Sequence, residues 1–221
     1  MAKIVWDATG EKIFESGTKH CVLYPMENGA YTKGVAWNGI TAITESPSGA
    51  DATDLWADDQ KYASMRAAEE FGATIEAYTY PDEWAKCDGS AEVATGVVIG
   101  QQTRTPFGLS YITSVGSDTI ALGDAFKLHL IWNATASPSE RAYQTINDSP
   151  DAITFSWELE TTPVNVTGFK PTANMVIDST KADATKLGTL MDMLYGTDAA
   201  GSSEGTDPAF PTPDQVIAML S

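Results

Sequence analysis

Strict alternation of apolar and polar residues is the strongest local signal in this 221-residue chain. Ile153, Phe155, Trp157 and Leu159 alternate with Thr154, Ser156, Glu158 and Glu160. That is the two-residue period of a strand with one face in a core and the other in water. The same period runs through Phe107, Leu109, Tyr111, Thr113 and Val115, and again through Phe126, Leu128, Leu130 and Trp132. Weaker runs lie at 20–24, 33–37, 40–44, 73–80, 96–101, 164–169 and 174–178, each bounded by Gly, Pro, Asn or Asp. Roughly eight to ten strands at such spacing predict a mainly β chain, a sandwich or barrel of mostly antiparallel strands. The expected core is Phe107, Leu109, Tyr111, Leu128, Leu130, Trp132, Phe155, Trp157 and Leu159.

Helical periodicity is scarcer. Leu187, Leu190, Met191 and Leu194 fall at i, i+3, i+4 and i+7, which predicts a helix over 183–195 that Gly196 ends. Pro81 to Lys86 reads as a short helix with proline in its first turn. Thr212-Pro213-Asp214-Gln215 has the spacing of a capping box, with Val216, Ile217 and Leu220 as an apolar face behind it. Ser137-Pro138-Ser139-Glu140 offers a further helix start that Asn147, Asp148 and Pro150 would stop. Residues 45–60 read as a long polar loop that nonetheless carries Leu55 and Trp56, and 196–213 as a Gly/Ser/Asp/Pro-rich stretch leading to an isolated terminal helix. A long loop with exposed apolar residues generally needs a partner surface.

Charge changes the picture. Thirteen Lys+Arg against 30 Asp+Glu give a net charge of −17. Such a surface repels phosphate backbones, so nucleic-acid gripping is excluded, and an anionic membrane is a poor partner for the same reason. The acid is concentrated. Residues 45–92 hold 12 acidic and 3 basic residues, and the chain after Lys186 holds 5 acidic and none basic.

Residues in patterns that carry chemistry are few. His20 and His129 are isolated, and Cys21 and Cys87 lie 66 positions apart, so no zinc pattern exists. The N-terminus lacks the basic stretch and apolar run of a secretory signal, and no apolar run approaches the roughly 20 residues of a membrane span. The expectation is a protein made in the cytosol with reduced thiols. Three N-x-S/T matches, at Asn133, Asn147 and Asn165, are read as chance. Glu158 and Glu160 share a strand face, but read as a solvated surface before a glycosidase pair. The one G-x-S-x-G spacing, Gly201 to Gly205, falls in the Gly/Ser/Asp/Pro-rich stretch and is not read as a nucleophile, and no glycine-rich phosphate loop occurs. No catalytic residue, metal or cofactor is assigned. Trp132 and Trp157 read as core, whereas Trp6, Trp37, Trp56 and Trp84 are the candidates for exposure.

Several long stretches taken together carry a resemblance. They are KHCVLYPMENGAYTKGVAWNGITAITESPSGADATDLWADDQKY, AAEEFGATIEAYTYPDEWAKCDGS, TRTPFGLSY and ASPSERAYQTINDSPDAITFSWELETTPVNVTGFKPTANMVIDST. In content and order they resemble the major tail proteins (tail tube proteins) of long, non-contractile-tailed, siphovirus-type bacteriophages and related prophages. The resemblance runs from about Lys19 to Thr180. It implies two packed antiparallel sheets with a flanking helix, six copies closing into a ring, and rings stacking into a hollow tube through which the genome passes. It also implies a virion location after synthesis in a bacterial cytoplasm, and tape measure, tail terminator and distal tail or baseplate proteins as partners. Double-stranded DNA would pass through without specific binding.

On this reading the chain divides into an N-terminal arm (1–16), a tail-tube β-sandwich domain (17–195) and a C-terminal arm with a short helix (196–221). The 45–60 loop, with Leu55, Trp56, Asp58 and Asp59, is the candidate for ring stacking. Glu76, Glu158 and Glu160 are the candidate lumen acids. The competing expectations are a decoration, head or other non-tube virion protein, and a carbohydrate-binding β-sandwich with exposed Trp.

Overall fold

The computed structural model describes residues 3–49, 51–146, 151–199 and 204–221. In chain order, the first strands are β1 (Phe14–Glu27), β2 (Ala30–Tyr31), β3 (Val35–Ala36) and β4 (Ile40–Glu45). Four short strands follow: β5 (Ser48–Gly49), β6 (Ala52–Ala57), β7 (Gln60–Arg66) and β8 (Glu69–Glu70). Then come β9 (Gly72–Ala77), helix α1 (Trp84–Asp88), β10 (Ala91–Ala94), β11 (Val97–Ile99), β12 (Phe107–Gly116) and β13 (Ala125–Ala136). The chain closes with β14 (Phe155–Thr161), β15 (Asn174–Asp178), α2 (Ala184–Tyr195) and α3 (Pro213–Leu220).

The protein is mainly β. Nine strands form one antiparallel sheet in the order β2-β1-β12-β13-β14-β9-β4, with β15 also on β13 and β3 on β1. The sheet does not close into a barrel among the described residues. Strand β13 is the joint. Lys127–Ile131 pair with β15, whereas Ala134–Ala136 pair with β14. Between them stands Asn133 at φ 50°, where the β12 register also slips. An extra residue of this kind bends a strand and re-aims the residues beyond it. The sheet therefore folds over, and β9 and β14 bring Ala73, Ile75, Trp157 and Leu159 into the same core as Leu23, Phe107 and Leu109. At its centre Trp37 and Trp84 pack with ring centroids 4.5 Å apart, with Trp157 5.5 and 5.4 Å from them.

A second core lies on the opposite face of β1, β12 and β13. There Tyr24, Ile112, Leu128, Leu130 and Trp132 are covered by Leu187, Leu190 and Leu194 of α2 and by Val216 of α3. The alternation thus has a different cause from the one expected. Strand β12 is buried on both faces, and Ser110, Ile112 and Ser114 are covered too. The small residues Gly108 and Ser110 leave room: a Cβ at Gly108 would meet the Phe210 ring at 2.5 Å. The expected core residues are buried, except Phe155, which packs half-covered at the margin.

Trp37 and Trp84 are buried at 3% and 0% exposure, so only Trp6 and Trp56 of the four candidates are exposed. No helix follows Pro138 through Ile146; the proposed stop at Asn147, Asp148 and Pro150 lies outside the described residues. Residues 14–16, placed in the N-terminal arm, already belong to β1 and pair with β12.

The C-terminal segment is not a loose arm. Phe210 stacks on Tyr24 at 4.6 Å, and Trp132 Nε1 donates to the Pro211 carbonyl at 2.8 Å. Helix α3 starts with the predicted capping box between Thr212 and Gln215. Asp183 caps α2 by accepting from the Thr185 and Lys186 amides.

Candidate functional site

Residues 45–60 are not a loop but the first half of a β arm. Strands β5 and β8 pair at its base, and β6 and β7 form a hairpin beyond them. Asp58 and Asp59 make the turn, with φ 49° and 60°. Two successive positive φ values are what a tight hairpin turn demands, and Asp tolerates them better than most residues. The two carboxylates therefore have a local reason to be there.

The arm's apolar residues are solvent-exposed: Leu55 at 42%, Trp56 at 69%, Tyr62 at 78% and Met65 at 61%. Leu55 stands opposite Ala63, and Thr53 opposite Met65, so Leu55 and Met65 share one face. Trp56 is on the other face opposite Lys61, and the register slip beside it leaves Tyr62 outside the pairing. On Trp56's face Asp54 pairs with Lys61 at 2.7 Å. Lys61, and then Ser64, hold the Asp54 carboxyl below its ordinary range. A two-stranded hairpin with both faces in water is marginal by itself.

The three lumen candidates are brought together. Ser156 pairs with Glu76, Glu158 with Thr74 and Glu160 with Gly72, while Ile75, Trp157 and Leu159 point into the core. Glu76, Glu158 and Glu160 therefore share the outer face of the β4-β9-β14 sector, and all three are exposed. Ser137 Oγ donates to Glu160 Oε1 at 3.2 Å. Among the described residues no cation pairs with any of the three.

A polar cluster that sequence reasoning missed sits where the arm leaves the body. Glu45 ends β4, and its side chain is 33% exposed. Tyr111 Oη donates to its Oε1 at 2.6 Å, and His129 Nδ1 lies 3.3 Å from the same oxygen. The Tyr111 and His129 rings stack at 4.5 Å, 8° from parallel. His129 Nε2 is 3.1 Å from Thr113 Oγ1, and beyond it Glu15 pairs with Lys127. The His129 ring holds the Glu45 carboxyl below its ordinary range, helped by the Tyr111 hydroxyl and opposed by partial burial. Burial, and then Glu45, push the Tyr111 phenol up. The two ends of this cluster come from β4 and β13, which are not neighbours in the sheet, so no sequence spacing links them. The one available signal was the polar His129 on a strand otherwise rich in apolar residues.

Chemistry elsewhere is sparse. Cys21 and Cys87 are free, buried thiols of one core; burial raises both, Cys87 to about 12. Such thiols are poor nucleophiles. No group of three potential metal ligands exists among the described residues, and no described helix is long and apolar enough to cross a membrane. No protein-family model matches this chain, and a search of curated proteins finds no match.

Proposed function

We propose that this chain is the tube subunit of a long, non-contractile phage tail, a structural virion protein that assembles with copies of itself. The observation that carries the reading is the exposed β6-β7 arm, considered together with the sequence resemblance over residues 19–180. A hairpin with Leu55 and Met65 on one face and Trp56 on the other is stable chiefly when something covers it. The natural cover is the neighbouring ring, so the arm is the stacking element. Two sheet edges support the ring itself. Strand β4 pairs only with β9, and β15 only with β13, among the described residues. Free edges of this kind are completed by the next copy in a closed ring.

The acidic face of β9 and β14 fits the tube wall. A conduit for DNA must not bind phosphates, and uncompensated carboxylates repel them. Tape measure, terminator and distal tail proteins are the further partners on this reading, and no cofactor is required.

Negative-stain electron microscopy of the purified chain across a concentration series tests the proposal. Six-fold rings or uniform tubes with an axial repeat are the expected result. Particles that stay single at every concentration, with and without a tail-tip complex, overturn it.

A further inference from the structure

The β10-β11 hairpin is a second exposed apolar element, and neither the arm nor the acidic face accounts for it. Each strand pairs only with the other among the described residues, so both outer edges are open. Val93, Val97, Val98 and Ile99 are all exposed, Val98 at 60%. Successive residues of a strand point to opposite faces, so Val97 and Ile99 lie on one face of β11 and Val98 on the other. No charged residue occurs from Val93 to Thr103, and the one carboxylate on the hairpin, Glu92, accepts from the Gly96 amide at 2.8 Å. An uncharged strand that is apolar on both faces and open along one edge is a template for pairing with another sheet edge.

The edge that fits it is β15. This strand pairs only with β13 among the described residues, and a groove of about 480 Å³ lies between it and α3. Met175, Ile177, Ile217 and Leu220 line the groove. Met175 and Ile177 stand opposite Leu130 and Leu128 on the α3 side of the sheet, whereas Val176 stands opposite His129 on the other side and is 45% exposed. The free edge of β15 is thus apolar on both faces, as β11 is. The groove's charged side chains, Asp178 and Lys181, pair with each other at 3.6 Å. In a molecule of net charge −17, two such patches are where copies meet without pressing acid against acid. They also lie apart. The hairpin follows α1, whose Trp84 and Cys87 belong to the first core, whereas Ile177 and Val216 beside the groove belong to the second, on the opposite face of β1, β12 and β13. A donor and a receptor so placed give a head-to-tail contact. We propose that β11 of one copy adds to the β15 edge of a second copy, with Val97 and Ile99 over Ile217 and Leu220 and Val98 beside Val176. The contact rests on the reading that copies of the chain assemble, and it names the strand that completes the β15 edge.

Full chains carrying Val98→Cys and Val176→Cys, mixed and mildly oxidised, test the pairing, because the native Cys21 and Cys87 are buried. A disulfide between the two variants is expected in the mixture and in neither variant alone. Val98→Lys and Val176→Lys should each raise the concentration at which copies associate, read by sedimentation, about tenfold or more. Both positions are exposed, so thermal midpoints should stay with the parent. The 98–176 link in pairs or short chains of copies that never form tubes supports this contact while the tube reading fails. Tubes that form without the link, and at the parent's concentration in both lysine variants, overturn the contact and leave the tube reading standing. A Val98→Cys chain that links to itself overturns it in favour of hairpin-to-hairpin pairing. Copies that stay single and unlinked also overturn it, and microscopy with the tail-tip complex then decides the tube reading separately.

Discussion

Glu45 is the residue on which the join between arm and body depends. Its carboxylate takes a 2.6 Å bond from Tyr111 and faces His129 at 3.3 Å, while staying partly exposed at the end of β4. Its folded pKa lies below the ordinary value of 4.5, so the unfolded chain binds the proton more readily. The stability it contributes is therefore complete above the unfolded value and is lost as pH falls through the folded one. Glu45→Gln should lower stability at pH 7 by about 1 kcal/mol, with solvent screening holding the loss near that figure. It should also flatten the acid limb of the stability profile. Urea unfolding between pH 3 and 7 measures both, and parallel acid limbs in parent and variant would contradict the assignment. Tyr111→Phe should reproduce part of the loss at pH 7, because it removes the hydroxyl and leaves the ring stack. Glu45 was legible only as the first residue of the polar, acidic stretch that follows the apolar run at 40–44. Its partners lie 66 and 84 positions away on strands that meet only when the sheet folds over.

Elements were legible where local chemistry dictates them. The capping box at Thr212, the stripe from Leu187 to Leu194 and the alternations in β12, β13 and β14 all lie on the observed elements. What covers each element was not legible, because periodicity reports an apolar face and not its neighbour. The C-terminal segment shows this best. Its composition is that of an arm, yet Phe210 is 7% exposed between Tyr24 and Tyr31, and Val216 is fully buried. Phe210→Ala should cost about 3–5 kcal/mol, the usual range for emptying an aromatic site in a core. Removing residues 207–221 should expose the α2 side of the sheet and raise dye binding to apolar surface. A truncated chain with the parent's thermal midpoint would show that the segment is an arm after all.

The β6-β7 arm illustrates the opposite case. Sequence composition reads as a loop because Asp54, Asp58 and Asp59 interrupt the apolar pattern, whereas the fold uses the last two as turn residues. Trp56 is 69% exposed and should contribute little to the isolated subunit. Trp56→Ala should leave the unfolding midpoint within about 0.5 kcal/mol of the parent, as for surface positions generally. It should nonetheless abolish or strongly weaken tube formation, seen as loss of sedimenting polymer at matched concentration. Assembly at the parent's critical concentration would remove the arm from the stacking interface.

At the scale of the whole molecule the question is where the surplus acid goes. A net charge of −17 works against self-association, because like charges on approaching copies repel. An assembly that carries this surplus needs the acid to face away from its contacts. The exposed residues on β9 and β14 meet that condition: Glu76, Glu158 and Glu160 share one face with no paired cation among the described residues, and the face is backed by the Trp157 core. If that face lines a channel, its role is to keep phosphates off the wall. The triple variant Glu76→Lys, Glu158→Lys, Glu160→Lys should then still fold and assemble, since all three side chains are exposed. Its tubes should bind duplex DNA with a steep salt dependence, because each lysine that meets a phosphate releases counterions. Parent tubes should show no binding at physiological salt. Filter binding from about 50 to 300 mM salt separates the cases. Retention of DNA by parent tubes, or its absence from charge-reversed tubes open at both ends, would place these carboxylates on the outer wall and leave the channel to another face.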